Sequence, residues 1–293
     1  MKKLLSFKLK DVIDLLRISQ WLKNIFVFVP LVFSKNLFHF DLLSNTLFSF
    51  LFFSIASSIV YIINDIFDRK QDQNHPIKKF RPIASSRISL QNAILILFIL
   101  VLMSLFLISS MTSEFLIIVG IYILINILYS LGVKQIVILD IIFIAAGFML
   151  RVIGGAYSIH VTVSSWLILS TLFLSLFLAI IKRKAEILNL GSSTREVLND
   201  YSLDFIKQIT SITAAGIIIC YSLYTVSERT INEFGTENLV FTTIFVVFGI
   251  FRYMYVSEKK FLGENIIDAL SRDLASILNI IFYIITILLI IYN

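Results

Sequence analysis

Long apolar runs separated by short polar segments repeat along the whole chain. A helix needs ~20 mostly apolar residues to cross a hydrocarbon core. Nine stretches approach or meet that length, at roughly 21–38, 45–64, 91–111, 114–131, 136–157, 162–182, 209–227, 239–256 and 274–292. The linkers between them alternate in kind. Those after the second, fourth, sixth and eighth stretches are charged, and three of these four are long. Those after the first, third, fifth and seventh are mostly shorter and poor in basic residues. The pattern predicts an all-α integral membrane protein of about nine spans.

Ahead of the first span the pattern changes. The start, MKKLLSFKLKDVIDLLR, has the basic flank of a signal peptide, but Asp11, Asp14 and Arg17 interrupt its apolar part and no small-residue cleavage site follows. Leucines, isoleucine, valine and phenylalanine from Leu4 to Leu16 are interspersed with Lys8, Lys10, Asp11 and Asp14. Residues 1–20 are expected to form an amphipathic segment lying on the cytoplasmic membrane surface, with a frayed basic tail as the other reading.

Composition agrees with the pattern. Of 293 residues 58% are hydrophobic and 15% charged, against ~45–50% and ~25% in soluble domains. One cysteine, Cys220, excludes a disulfide framework and multi-cysteine zinc sites. His39, His75 and His160 are too scattered for an HExxH site. The formal net charge of +6 matters less than its placement. Of the 25 lysines and arginines, Lys35 and Arg229 alone fall on one side, and Arg151 lies within a span. All others share the opposite side, which the positive-inside rule makes cytoplasmic. The N-terminus is then inside, and the basic charge needs no nucleic acid to explain it. The expected organisation is a single polytopic domain over 1–293 of a cell (inner) membrane, with cytoplasmic loops at about 65–90, 132–135, 183–208 and 257–273.

Candidate chemistry gathers on that side. At the end of the second span stands Asn64-Asp65-Ile66-Phe67-Asp68-Arg69-Lys70-Gln71-Asp72. On a continuous helix Asp65, Asp68 and Asp72 lie within ~60° of one another. Three carboxylates on one face repel unless a cation or protons intervene, and oxygen-only ligands favour a hard ion such as Mg²⁺ completed by substrate phosphates. A solvated helix end paired with Arg69 and Lys70 is the plainer alternative. Downstream, Lys78, Lys79 and Arg81 sit between Pro76 and Pro82. Beside the acidic face they describe a metal–polyphosphate pocket, or else a basic loop against anionic lipid.

Tyr129, Lys134 and Asp140 bracket the turn between the fourth and fifth spans. Asp140, Gly147 and Arg151 make nearly one stripe of the fifth span, with Gly154-Gly155 beyond. An intramembrane arginine costs ~2.5–3.5 kcal/mol even on lenient scales, so Arg151 should face a cavity or a partner, and an ion pair with an acid of another helix would serve equally. Lys182-Arg183-Lys184-Ala185-Glu186 ends the sixth span, where Lys182 and Arg183 can each reach Glu186.

These residues resemble the UbiA superfamily of intramembrane prenyltransferases. Within it the similarity points to the branch of decaprenyl-phosphate phosphoribosyltransferases, which make polyprenyl-phosphoryl phosphoribose. It covers nearly the whole chain: Gln20-Trp21-Leu22-Lys23-Asn24 with Val27 to Leu31, the Asn64–Asp72 motif, His75-Pro76 through Arg81 to Ser85, Tyr129-Ser130 with Lys134 and Asp140, Phe148 to Arg151 with Gly154-Gly155, Lys182-Arg183 with Glu186, and Arg252-Tyr253. Aromatic prenyltransferases of the superfamily usually carry a second DxxxD motif where this chain has Lys182 to Glu186, so a second metal site is not expected. Ile18 and Ser86 also depart from the pattern, where the family often has Pro and Gly.

The resemblance implies a UbiA-like fold, with the spans around a central lipid-open cavity. It implies an Mg²⁺-dependent transferase that moves 5-phosphoribosyl from 5-phosphoribosyl 1-diphosphate to a polyprenyl phosphate drawn from membrane lipid. Asp65, Asp68 and Asp72, with Asn64, are then expected to hold the metal and the leaving diphosphate. Lys23, Lys78, Lys79 and Arg81 are candidates for substrate phosphates, and so are Lys134, Arg151, Lys182 and Arg183. Tyr129, Asp140 and Glu186 would orient the ribose or those cations. Prenyl transfer to an aromatic acceptor, and a transporter or lipid-binding protein, are the other readings. Acceptor length and oligomeric state are not legible.

Overall fold

The computed structural model describes residues 8–75, 78–190, 196–260, 270 and 272–292. Among them there are helices and turns and no strand, as a chain without water for its backbone requires. Eight helices are long and apolar enough to cross a membrane, or nine if one bent pair counts as a span. The protein is a multi-pass membrane protein.

The chain divides into two compact units, Met1–Leu131 with Leu150–Val161, and Gly132–Met149 with Thr162–Asn293. In the first, α1 (Leu9–Leu16) leads through a 3₁₀ run, Ile18–Phe28, into the short α2 (Val29–Val32). Then come α3 (Phe40–Phe67), α4 (Arg69–Gln73), α5 (Leu90–Ile108) and α6 (Ser113–Leu131). The unit is completed by the second half of α7 (Leu139–Ser158). Helix α3 is the pillar, packed on α1, the 3₁₀ run, α5 and α6. Its core is aromatic: Phe115 meets Phe52 and Phe53 edge-on at 5.7 and 5.5 Å, and Phe53 meets Tyr122 at 5.5 Å.

The second unit holds the first half of α7, then α8 (Ser165–Leu190), α9 (Leu203–Thr225), α10 (Glu228–Phe234), α11 (Thr243–Lys260) and α12 (Leu274–Tyr292). Helices α8 and α9 pair along their length, and Phe177, Ile181, Ala214, Ile217 and Ile250 fill the space between α8, α9 and α11. Hydroxyls on the spans turn back to their own helices, as Thr46 does to Leu42 O and Thr210 to Ile206 O. The hydroxyl hydrogens of these two residues are thereby satisfied within the helix, whereas on α11 the buried Thr243 and Tyr253 hydroxyls have no hydrogen-bond partner among the described residues.

The first expected span, 21–38, is not a continuous α-helix. Arg17 takes a left-handed conformation (φ 51°, ψ 49°) that ends α1, and the axis bends by 47° between Leu9–Leu16 and Ile18–Val32. Pro30 enters at the start of α2, where a missing N–H costs least. Of the expected amphipathic segment, residues 1–7 lie outside the described residues. The rest, α1, buries Leu15 against α3 and leaves Leu9 and Ile13 exposed.

Candidate active site

Helix α3 brings the acidic motif to its own C-terminal end. The helix stops at Phe67, Asp68 leaves helical geometry (φ −83°, ψ 3°), and α4 restarts at Arg69. The three aspartates therefore do not share one unbroken helical face. Asp65 and Asp72 are both buried, and their side chains still converge on one arginine, because the backbone bonds of Asp68 N to Asn64 O and Asp72 N to Asp68 O carry the helical path across the break. Arg81 Nη1 donates to Asp65 Oδ1 at 3.0 Å and to Asp72 Oδ2 at 2.7 Å. Arg17 Nη2 donates to the same Asp65 oxygen at 2.5 Å, and its guanidinium lies 4.5 Å over the Tyr61 ring. Two arginines and two buried carboxylates make a linked quartet, Arg17–Asp65–Arg81–Asp72.

The loop carrying Arg81 is held in several places. Lys78–Phe80 is a 3₁₀ turn, Arg81 N–H donates to Lys78 O, and Ser85 Oγ donates to Arg81 O at 2.7 Å. Arg87 grips the carbonyl of Phe80 at 2.7 Å while its other nitrogen meets Asp11 at 2.6 Å and Asp14 at 3.2 Å. Lys79 is exposed beside the Phe80 ring, and Lys78 and Asn64 are half-buried.

The donor set at this helix end is all oxygen. Two carboxylates that meet on one nitrogen are close enough for a hard divalent cation such as Mg²⁺ to join them, its remaining positions going to water and phosphate oxygens. Among the described residues no three His, Cys, Asp or Glu side chains converge as a ready metal cage.

Within the same unit, Arg151 is buried on α7. Its Nε donates to Asn24 Oδ1 at 2.6 Å, and its Nη2 donates to Tyr122 OH at 3.0 Å, with the guanidinium 4.8 Å over that ring. Asn24 in turn donates to Ser54 Oγ, and Trp21 Nε1 to Ser58 Oγ, each at 3.0 Å. The motif residues Trp21 and Asn24 thus pin the 3₁₀ run to α3. Lys23, half-buried between them, lies within electrostatic reach of both Arg151 and Arg17. Tyr129 is half-buried on α6.

The second unit gathers a separate cluster. Asp140, fully buried at the start of α7, accepts from Arg183 Nε and from Tyr201 OH, both at 2.6 Å. Arg183 is 1% exposed and also bonds Glu186. A guanidinium so buried, with two carboxylates, is a frame rather than an open phosphate ligand. Lys182 is the more accessible cation of the motif, 4.0 Å from Glu186. The Tyr201 hydroxyl accepts the Ile138 N–H at 2.7 Å. Ile138 has φ 72°, a conformation that a β-branched residue adopts only under constraint. Tyr201 is held protonated, well above the usual phenol range, by its burial and then by the Asp140 carboxylate. Lys134 is half-buried in the 3₁₀ turn Val133–Gln135.

Comparison with known proteins fits this architecture. The model of the UbiA prenyltransferase family matches residues 25–260. The chain belongs to the UbiA prenyltransferase family. A decaprenyl-phosphate phosphoribosyltransferase of Mycolicibacterium smegmatis is 30% identical over 231 residues, covering 76% of this chain and 73% of that one. The one from Mycobacterium tuberculosis is 29% identical over 220 residues, covering 73% of each chain. Among solved structures, a UbiA homologue from Archaeoglobus fulgidus bound to GPP and Mg²⁺ has a TM-score of 0.70 at 15% identity, covering 97% of this chain and 100% of the other.

Against that UbiA frame, the sequence reading missed Arg17, Tyr61 and Tyr201. Arg17 meets Asp65 across 48 positions and Tyr201 meets Asp140 across 61, so no local spacing announces either pair. Arg17 carried one signal, a charge interrupting an apolar stretch just before a span. Tyr201 carried none.

Proposed function

We propose that this UbiA-family protein transfers 5-phosphoribosyl from 5-phosphoribosyl 1-diphosphate to a polyprenyl phosphate. The observation that carries the reading is the 30% identity, over 231 residues, to a protein named decaprenyl-phosphate phosphoribosyltransferase. The site chemistry supports it. Asp65 and Asp72 offer oxygen ligands for Mg²⁺, while Arg17, Arg81 and Lys78 offer cations for diphosphate. Where aromatic prenyltransferases carry a second acidic motif, this chain has Lys182 and a buried Arg183. The active site faces the cytoplasm in this reading, since the basic loops gather on that side.

An oxygen of the acceptor phosphate forms a bond to ribose C1 as the bond from C1 to the diphosphate oxygen breaks. Bound Mg²⁺ supplies charge neutralisation of the leaving diphosphate. Asp65, Asp68 and Asp72 with Asn64 hold that end of the donor, and Lys78, Lys79 and Arg81 bind its phosphate oxygens. Lys23, Arg151, Lys134 and Lys182 draw in the remaining phosphates. Tyr129 orients the ribose, and Asp140, Arg183 and Glu186 hold Lys182 in place. The acceptor is already ionised, so alignment and charge stabilisation carry the rate without a strong general base.

The test uses purified protein in detergent with polyprenyl phosphate, Mg²⁺ and ribose-labelled 5-phosphoribosyl 1-diphosphate. Label should enter the solvent-extractable lipid, and EDTA should stop it. No transfer to acceptors of several lengths by folded protein would overturn the reading in favour of prenyl transfer to an aromatic acceptor.

A further inference from the structure

Arg17 stands outside the acidic and basic motifs, yet it makes the shorter of the two contacts to the Asp65 carboxylate. Asp65 is 2% exposed and takes two guanidinium donors on one oxygen, Arg17 at 2.5 Å and Arg81 at 3.0 Å. The Arg17 and Arg81 side chains are each about a quarter exposed, 23% and 24%, so both border solvent while the carboxylates do not. Buried carboxylates are costly unless paired, and in this quartet the chain itself supplies the pairing.

That arrangement has a consequence for ligand entry. A divalent cation taking the oxygens that face the guanidiniums, Asp65 Oδ1 and Asp72 Oδ2, must displace the arginines that already hold them. Two arginines left beside a divalent cation are then repelled by it, and only an anion with several oxygens relieves the repulsion. Diphosphate is such an anion: it ligates the metal and accepts charge-assisted hydrogen bonds from guanidinium. Arg17 is suited to the exchange. Its stack on Tyr61 at 4.5 Å keeps the guanidinium at the site after Asp65 is released, and its backbone is fixed in the turn that ends α1.

We propose that Arg17 is an internal counter-cation of the aspartate site, which competes with the divalent metal for Asp65 and passes to diphosphate oxygens when the metal binds. Metal and diphosphate then load together, and each alone binds weakly. The inference rests on the proposed use of a diphosphate donor, but not on which group that donor transfers.

The test measures binding, not turnover. Mn²⁺ is titrated by electron paramagnetic resonance into the purified full chain in detergent, with and without inorganic diphosphate, for wild type, Arg17→Gln and Arg17→Lys. In Arg17→Gln, Mn²⁺ alone should bind several-fold tighter, because a competitor is gone. Diphosphate at saturating Mn²⁺ should bind roughly ten- to a hundredfold more weakly, the value of a charge-assisted hydrogen bond. Arg17→Lys keeps the charge and should fall between. Opposite signs for the two ligands are the signature. If both weaken together, Arg17 is a structural anchor and the proposal fails; if neither changes, it fails as well. Inorganic diphosphate carries no ribose or prenyl group, so loss of the phosphoribosyl reading would leave this result standing.

Discussion

The Tyr201 hydroxyl donates to Asp140 at 2.6 Å while accepting the N–H of Ile138 at 2.7 Å. One phenol thus satisfies a buried carboxylate and a strained backbone turn. Tyr201→Phe leaves both without that partner, at a cost of about 1–3 kcal/mol, read as a melting temperature in detergent lowered by several degrees. Ile138→Gly relieves the positive φ, so the double variant should lose less than the sum of the single changes. The phenol's raised pKa fixes the pH dependence. Its contribution is complete below the unfolded value near 10 and is lost as pH rises above it. The difference between wild type and Tyr201→Phe should therefore stay constant from pH 6 to 9 and shrink above 10.

Asp273 behaves in the opposite sense. Arg252 grips it with Nε at 2.9 Å and Nη2 at 2.7 Å, and Asp273 accepts the Ser276 N–H and hydroxyl at 3.0 and 2.8 Å, capping α12. The Arg252 hydrogen bond, with Ser276 assisting, holds the carboxyl well below the usual range. Its contribution is present above the unfolded pKa of about 4 and is lost as pH falls through the folded value. Asp273→Ala should cost about 0.5–2 kcal/mol as a lost cap and flatten the acid limb of a melting-temperature profile.

These two pairs show what the sequence makes legible. Helices with continuous apolar runs fall where hydropathy puts them, as α5, α6 and α12 do. Their polar extensions do not. Helix α8 runs on to Leu190 through Lys182–Glu186, and α9 starts at Leu203, because ion pairs and the Ser202 cap continue a helix after hydrophobicity has ended. The first span departs for a different reason: Ile18–Phe28 winds as a 3₁₀ run and only Val29–Val32 is α-helical, a difference in winding that hydropathy does not encode. At the site, Asp65, Asp72 and Arg81 were visible as neighbours in sequence. The break at Asp68 was not, and neither was the commitment of Arg183 to Asp140, 43 positions away.

Two glycines should respond differently to the same change. A Cβ at Gly155 would lie 2.1 Å from the Val27 carbonyl oxygen, and one at Gly216 would lie 2.5 Å from the Phe173 ring. Phe173 is a side chain with other rotamers, whereas the Val27 backbone belongs to the run pinned by Trp21 and Asn24. Gly216→Ala should cost about 1–3 kcal/mol. Gly155→Ala should cost more and reduce the yield of monodisperse protein, measured by size-exclusion chromatography in detergent.

Asp72 offers the sharpest test of the acidic site. It shares Arg81 Nη1 with Asp65 across the helix break, yet its side chain caps no helix, so Asp72→Asn should insert and fold normally. If the two carboxylates hold the cation, replacing one removes part of several kcal/mol of charge stabilisation. Turnover should then fall on the order of a hundredfold or more. The Mg²⁺ concentration for half-maximal rate should rise as well, because the remaining ligand binds the ion more weakly. Loss of turnover with unchanged Mg²⁺ dependence would instead make Asp72 a holder of Arg81. Wild-type turnover at limiting Mg²⁺ would remove Asp72 from the site. Rates measured across a Mg²⁺ series, for wild type and Asp72→Asn side by side, separate these outcomes.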